Sequence, residues 1–162
     1  MSLPIRILFV CAGNICRSPA AEAIMQHKVK KLGWEDKFFC DSAGTVVYSF
    51  GENSDFRLRE QLHKRGIEIE SVTRRFDEVA DFMAFHYILV MDEHNFNDLM
   101  KLEMSKKFKD RVYFITDFCK EPIDRNIPDP FAGGLEHFNS VLDVLEICID
   151  GFLEKIKKEL KL

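Results

Sequence analysis

Ile5-Arg6-Ile7-Leu8-Phe9-Val10-Cys11-Ala12-Gly13-Asn14-Ile15-Cys16-Arg17-Ser18-Pro19 is the stretch that decides the reading of this chain. An apolar run of strand type, Ile5–Val10, ends in a cysteine. A small loop follows, then an arginine, and Ser18-Pro19 opens a helical pattern. Successive N–H groups from Ala12 to Arg17, including those of Gly13, Asn14, Ile15 and Cys16, can turn inward as a nest for a tetrahedral oxyanion. A helix starting near Ser18 adds the positive end of its dipole. Gly13 is expected to supply a turn that a Cβ would hinder, and Asn14 tolerates positive φ. Pro19 suits a first helical turn, where an N–H lacks a partner anyway. Arg17 closes the loop as a permanently charged, bidentate clamp that Lys would not copy. The same positive field favours the thiolate of Cys11, the attacking form of a thiol, and a Ser18 hydroxyl would add a hydrogen bond to the sulfur.

Working outward, three more apolar runs read as strands: Phe38–Ser42, Tyr87–Met91 and Val112–Thr116. They are short and rich in β-branched and aromatic residues, as strands buried on both faces are. Helical patterns lie between them. Ala20–Leu32 ends before Gly33. Ser54–Arg65 is expected to be capped by Ser54 and stopped at Gly66. Phe76–Phe82 reads as a short helix, and Glu93–Leu102 follows the third strand. The last helix carries one stripe, Leu135, Phe138, Val141, Leu142, Leu145, Ile149, Phe152 and Ile156, which is core packing. Gly151 interrupts that pattern as a weak point or an end. Strands alternating with helices imply an α/β fold with a parallel sheet and right-handed crossovers. Ligands bind such sheets at the carboxyl ends of strands, where the Cys11 loop lies.

The 162 residues suit one domain, 1–162, with no linker or repeat. A net charge of −4 and no broad basic stripe argue against a nucleic-acid partner. No stretch approaches the roughly 20 apolar residues of a membrane helix, and the early strand argues against a leader peptide. The five cysteines are odd in number and lack C-x-x-C or Cys/His ligand spacing, so no metal site is expected. A reducing, cytoplasmic setting follows. Cys40, Cys119 and Cys148 read as core residues.

The segment Val10–Pro19, followed by Ala21-Glu22-Ala23, closely resembles the signature of the low-molecular-weight protein tyrosine phosphatases. The likeness extends to Asp41-Ser42-Ala43-Gly44-Thr45, Tyr87-Ile88-Leu89-Val90-Met91-Asp92 and Asp129-Pro130-Phe131. It implies a four-stranded parallel sheet flanked by helices on both faces, and a cofactor-free hydrolysis of phosphotyrosine and small aryl phosphates through a phosphocysteine. Cys11 would be the nucleophile and Arg17 the phosphate clamp. Asp129 aligns with the general acid, although an Asp between two prolines is on its own a turn former. Asp92 is a second candidate whose plainer reading is a helix cap. Asn14, Ser18 and Ser42 would hold the loop in shape, and Tyr48 and Phe131 would wall a slot for a flat ring. Cys16 would pair reversibly with Cys11 against over-oxidation. The family also implies phosphotyrosine proteins as partners, inorganic phosphate as product, and weak self-association.

Phe131-Ala132 stands where many relatives carry two tyrosines, and Ala12 replaces a larger residue. A phosphoarginine phosphatase on the same fold tends to carry Thr at the position of Ile15. An arsenate reductase needs a cysteine relay, which the spacing of Cys119 and Cys148 does not suggest. A non-catalytic phosphotyrosine-binding module would not need every catalytic residue, and all are present.

Overall fold

The computed structural model describes residues 3–162. Four strands, β1 (Ile5–Cys11), β2 (Phe38–Gly44), β3 (Tyr87–Val90) and β4 (Val112–Phe114), form one sheet in the order β2-β1-β3-β4. Every pairing is parallel. The helices are α1 (Arg17–Lys31), α2 (Phe56–Lys64), α3 (Glu78–Ala84), α4 (Glu93–Met100), α5 (Ser105–Phe108) and α6 (Leu135–Leu160).

The period of two along β1 produces the layers. Ile7, Phe9 and Cys11 point to one face, where they pack with Ala20 and Ile24 of α1, Leu58 of α2, and Leu142 and Leu145 of α6. Leu8 and Val10 point to the other face and meet Phe76, Phe82 of α3 and Leu99 of α4. Phe9, Phe138 and Phe152 are fully buried; each contributes about 1.5–3 kcal/mol relative to exposure. The expected three-layer α/β fold is therefore present. Strand order reverses at β1, which pairs with β2 on one side and β3 on the other. The loop after β1 thus opens at the topological switch point, where such sheets bind ligands.

Several boundaries differ from the sequence reading. β4 stops at Phe114, and Ile115–Phe118 is a turn of 3-10 helix rather than strand. Asp55, not Ser54, caps α2: its Oδ1 accepts from Arg57 N at 2.8 Å. A carboxylate is the better acceptor beside a helix N-terminus, and the buried Ser54 hydroxyl has no partner among the described residues. α3 starts two residues late because Asp77 caps it. Phe76 packs edge-on to Phe82 instead, with centroids 5.1 Å apart. α6 runs unbroken through Gly151. A Cβ there would stand 1.9 Å from the Phe118 carbonyl oxygen, so this glycine admits a neighbouring backbone rather than ending the helix.

Candidate active site

The loop between β1 and α1 is held from both sides. Asn14 sits at φ +58°, as expected. Its Nδ2 donates to Ser18 Oγ at 2.8 Å and Ser42 Oγ at 3.0 Å, and its Oδ1 accepts from Arg74 N at 2.9 Å. Ser42 Oγ in turn donates to Glu22 Oε1 at 2.6 Å. Ser18 Oγ lies 2.9 Å from Cys11 Sγ, so one chain of bonds joins the thiol to a buried carboxyl. Outside the loop, Thr45 N donates to Cys11 O, Val46 N to Ala12 O and Asp55 N to Ile15 O, at 2.9–3.0 Å. These bonds turn the carbonyls outward. Among the described residues no acceptor binds the N–H groups of Ala12 to Cys16. A run of free donors at a helix start is what an anion nest requires.

Gly13 does not play its expected part. It lies outside the positive-φ region, and a Cβ on it would meet Ile15 only at an ordinary 3.6 Å. The glycine that the loop requires is Gly44. A Cβ there would stand 2.4 Å from Ala12 O and 3.0 Å from Asn14 N, so its absence lets the end of β2 support the loop.

Arg17 is 3% exposed. Its Nη1 donates to Asp92 Oδ2 at 2.6 Å and to Ile127 O at 2.9 Å. Burial works against the guanidinium charge, but Cys11 and Asp92 outweigh it and shift its pKa upward. Asp92 also caps α4 in a reciprocal box with Asn95. It is therefore a cap and an anchor for Arg17 at once. With Nη1 committed, Nη2 faces Asp129, 3.8 Å from its Oδ2.

Asp129 lies on an exposed loop, and its side chain is 52% exposed. Its Oδ1 accepts from Phe131 N at 3.0 Å, the turn-forming bond an Asp before proline makes. Arg57 of α2 ties this loop down. Its Nη2 donates to Phe131 O at 2.8 Å and its Nη1 to Gly133 O at 3.3 Å. The guanidinium lies 4.6 Å from the Phe138 ring centroid and 5.5 Å from that of Phe131. Asp55 orients Arg57 through two bonds of 2.9 and 3.1 Å. Burial raises the Asp55 carboxyl, yet the bonds from Arg57 hold it below its ordinary value. Sequence reasoning missed Arg57, because a charge on the first turn of a helix ordinarily faces solvent.

Tyr48 is 88% exposed, two residues past the contact that Val46 makes with Ala12. Phe131 is also exposed, on the same loop as Asp129. Cys16 is buried, and that burial first, then Asp55, pushes its thiol well up. Cys40 and Cys148 are core residues as expected. Cys119 is only half-buried, because it follows the 3-10 turn onto the surface of α6.

The family model for low molecular weight phosphotyrosine protein phosphatase matches residues 6–162. A Synechocystis protein that bears this family's name is 40% identical over 155 residues, covering 96% of this chain and 98% of the relative. The crystal structure of a protein tyrosine phosphatase from Entamoeba histolytica, with Hepes in its active site, superposes with a TM-score of 0.89 at 38% identity. That alignment covers 98% of this chain and 99% of the other. An arginine phosphatase from Geobacillus stearothermophilus superposes at 0.82 with 29% identity, covering 96% and 95%. The family model spans all but the first five residues, and the Synechocystis relative matches at 40% identity over nearly its whole length: this chain belongs to the low molecular weight phosphotyrosine protein phosphatase family.

Proposed function

We propose that the chain hydrolyses phosphotyrosine in proteins, and small aryl phosphates, through a phosphocysteine. The observation that carries this reading is the run of unpaired N–H groups between a buried thiol and a buried guanidinium. The phosphoryl oxygens bind those N–H groups and the free side of Arg17. Such fixed donors need no reorganisation as charge develops. Cys11 Sγ attacks phosphorus, helped by Ser18 Oγ on the sulfur. The P–O bond breaks, and the tyrosyl oxygen takes the proton of Asp129. Asp129, now a carboxylate, takes a proton from the water that attacks phosphocysteine. Phosphate leaves, and Cys11 and Asp129 return to their starting states.

Tyr48 and Phe131 form the sides of the slot for the phenyl ring, which phosphoserine is too short to fill. Ile15 gives the loop an apolar side chain that suits an aryl group. Cys16 is the redox partner of Cys11. The partners are phosphotyrosine proteins in a reducing compartment, the cytoplasm, where free thiols persist. No described helix is long and apolar enough to cross a membrane.

Side-by-side turnover of phosphotyrosine, phosphoserine and phosphoarginine peptides tests the proposal, with Cys11→Ser as control. Phosphotyrosine should be turned over fastest and the variant should be inert. Faster turnover of phosphoarginine would move the assignment to the other branch of the fold. Appreciable hydrolysis by Cys11→Ser would remove the nucleophile.

A further inference from the structure

The segment after β4 lies tightly on α6, and three contacts fix it there. The Phe118 carbonyl fills the space that a side chain at Gly151 would occupy. Lys155 Nζ stands 5.4 Å from the centroid of the Phe118 ring. Lys120 pairs with Glu154. Cys119 lies between Phe118 and Lys120. Cys148 lies one turn of α6 before Gly151, and these two residues share a helix face. The result is a second thiol pair: Cys119 Sγ is 2.7 Å from Cys148 Sγ. Both thiols are free, Cys119 half-buried and Cys148 fully buried.

We propose that Cys119 and Cys148 form a reversible disulfide, a modification site separate from Cys11 and Cys16. A disulfide bond is about 2.05 Å long, so closure asks for an approach of under ~1 Å. The oxidant class is a peroxide, and Cys119 meets it because Cys148 is covered. The Cys119 thiolate attacks one peroxide oxygen, the O–O bond breaks, and the departing hydroxide is protonated to water. Cys119 is then a sulfenic acid. Cys148 gives up its proton and its sulfur attacks that of Cys119. The S–O bond breaks, and hydroxide leaves with the Cys148 proton as a second water. Two thiols have lost two electrons, and the peroxide has become two waters. A dithiol reductant reverses the step by exchange. Closure joins residues 119 and 148 across the whole acid loop and the first half of α6. It restricts the unfolded chain over that span, which stabilises the fold.

The test oxidises the full chain with hydrogen peroxide, alkylates remaining thiols after denaturation, and maps the peptides by mass. A peptide pair linked through Cys119 and Cys148, lost on treatment with dithiothreitol, is the expected result. The oxidised protein should also melt higher than the reduced one, and Cys119→Ser should lose that increment. Gly151→Ala keeps both thiols but displaces Phe118, so the link should form more slowly. Recovery of both cysteines as alkylated thiols, or of Cys119 as a sulfonic acid with no link, overturns the proposal. An unchanged linking rate in Gly151→Ala overturns the packing on which it rests.

Discussion

The loop proposed to hold phosphate, Cys11–Arg17, and the loop around Asp129 proposed to supply the acid approach to 3.8 Å through Arg17 and Asp129, yet they are built by opposite rules. The phosphate loop is buried, and its side chains are tied into a closed network from Cys11 to Glu22. The acid loop is exposed, and one arginine from α2 supplies two of the bonds that hold it. Charge stabilisation needs donors that do not move. A proton donor must instead meet leaving groups of different shapes and then let the product go. The difference in burial matches the difference between the tasks proposed for them.

The largest break in the comparison is removal of the acid while the cradle stays intact. Asp129→Ala should lower kcat by about 10²–10⁴-fold for poor leaving groups. The loss should shrink for activated aryl phosphates, which leave without a proton. A series of aryl phosphates of graded leaving-group acidity measures this. Equal losses across the series would take Asp129 out of the acid role.

A smaller break loosens the acid loop without touching its carboxyl. Arg57→Ala deletes both bonds to that loop and the stacking on Phe131. We expect a kcat loss of roughly 10–10²-fold for poor leaving groups, from misplacement alone. Inhibition by inorganic phosphate, which reads the cradle, should hardly change. If phosphate binding weakens in the same proportion as kcat, Arg57 supports the cradle and the two loops are not independent.

These two variants also mark how far the sequence could be read. The cradle was legible because its parts are contiguous. Cys11, Asn14, Arg17 and Ser18 lie within eight residues, between a strand and a helix that each carry their own pattern. The supports of the acid loop and of Arg17 were not, since they are tertiary. Asp92 stands 75 residues from Arg17, and Ile127 stands 110. Asp92 read as a cap and is one, but nothing local announces its second bond. Glycines misled for a similar reason. Gly13 sits in the motif and has room for a Cβ, whereas Gly44 and Gly151 face backbone from distant segments. The adjacency of Cys119 and Cys148 likewise depends on a packing contact that spacing does not encode.

The smallest effect on turnover is expected at the far end of the cradle network, where it shows instead as stability against pH. Glu22 is buried beneath Ser42. Burial first of all, and Asp41 in addition, push its carboxyl from 4.5 up to about 7, against the bonds from Ser42 and Gln26. The folded protein therefore binds a proton that the unfolded chain releases between those values. The associated stability is fully present below about pH 4.5 and is lost as pH rises through 7, by on the order of 2 kcal/mol between pH 5 and 7. Glu22→Gln keeps an acceptor for Ser42 and removes the titration. Urea unfolding at pH 5, 6, 7 and 8 should show the variant gaining on the parent as pH rises. A constant difference would mean that the carboxyl is already ionised at pH 5, so that the rigid loop is anchored on a charge rather than on a shared proton.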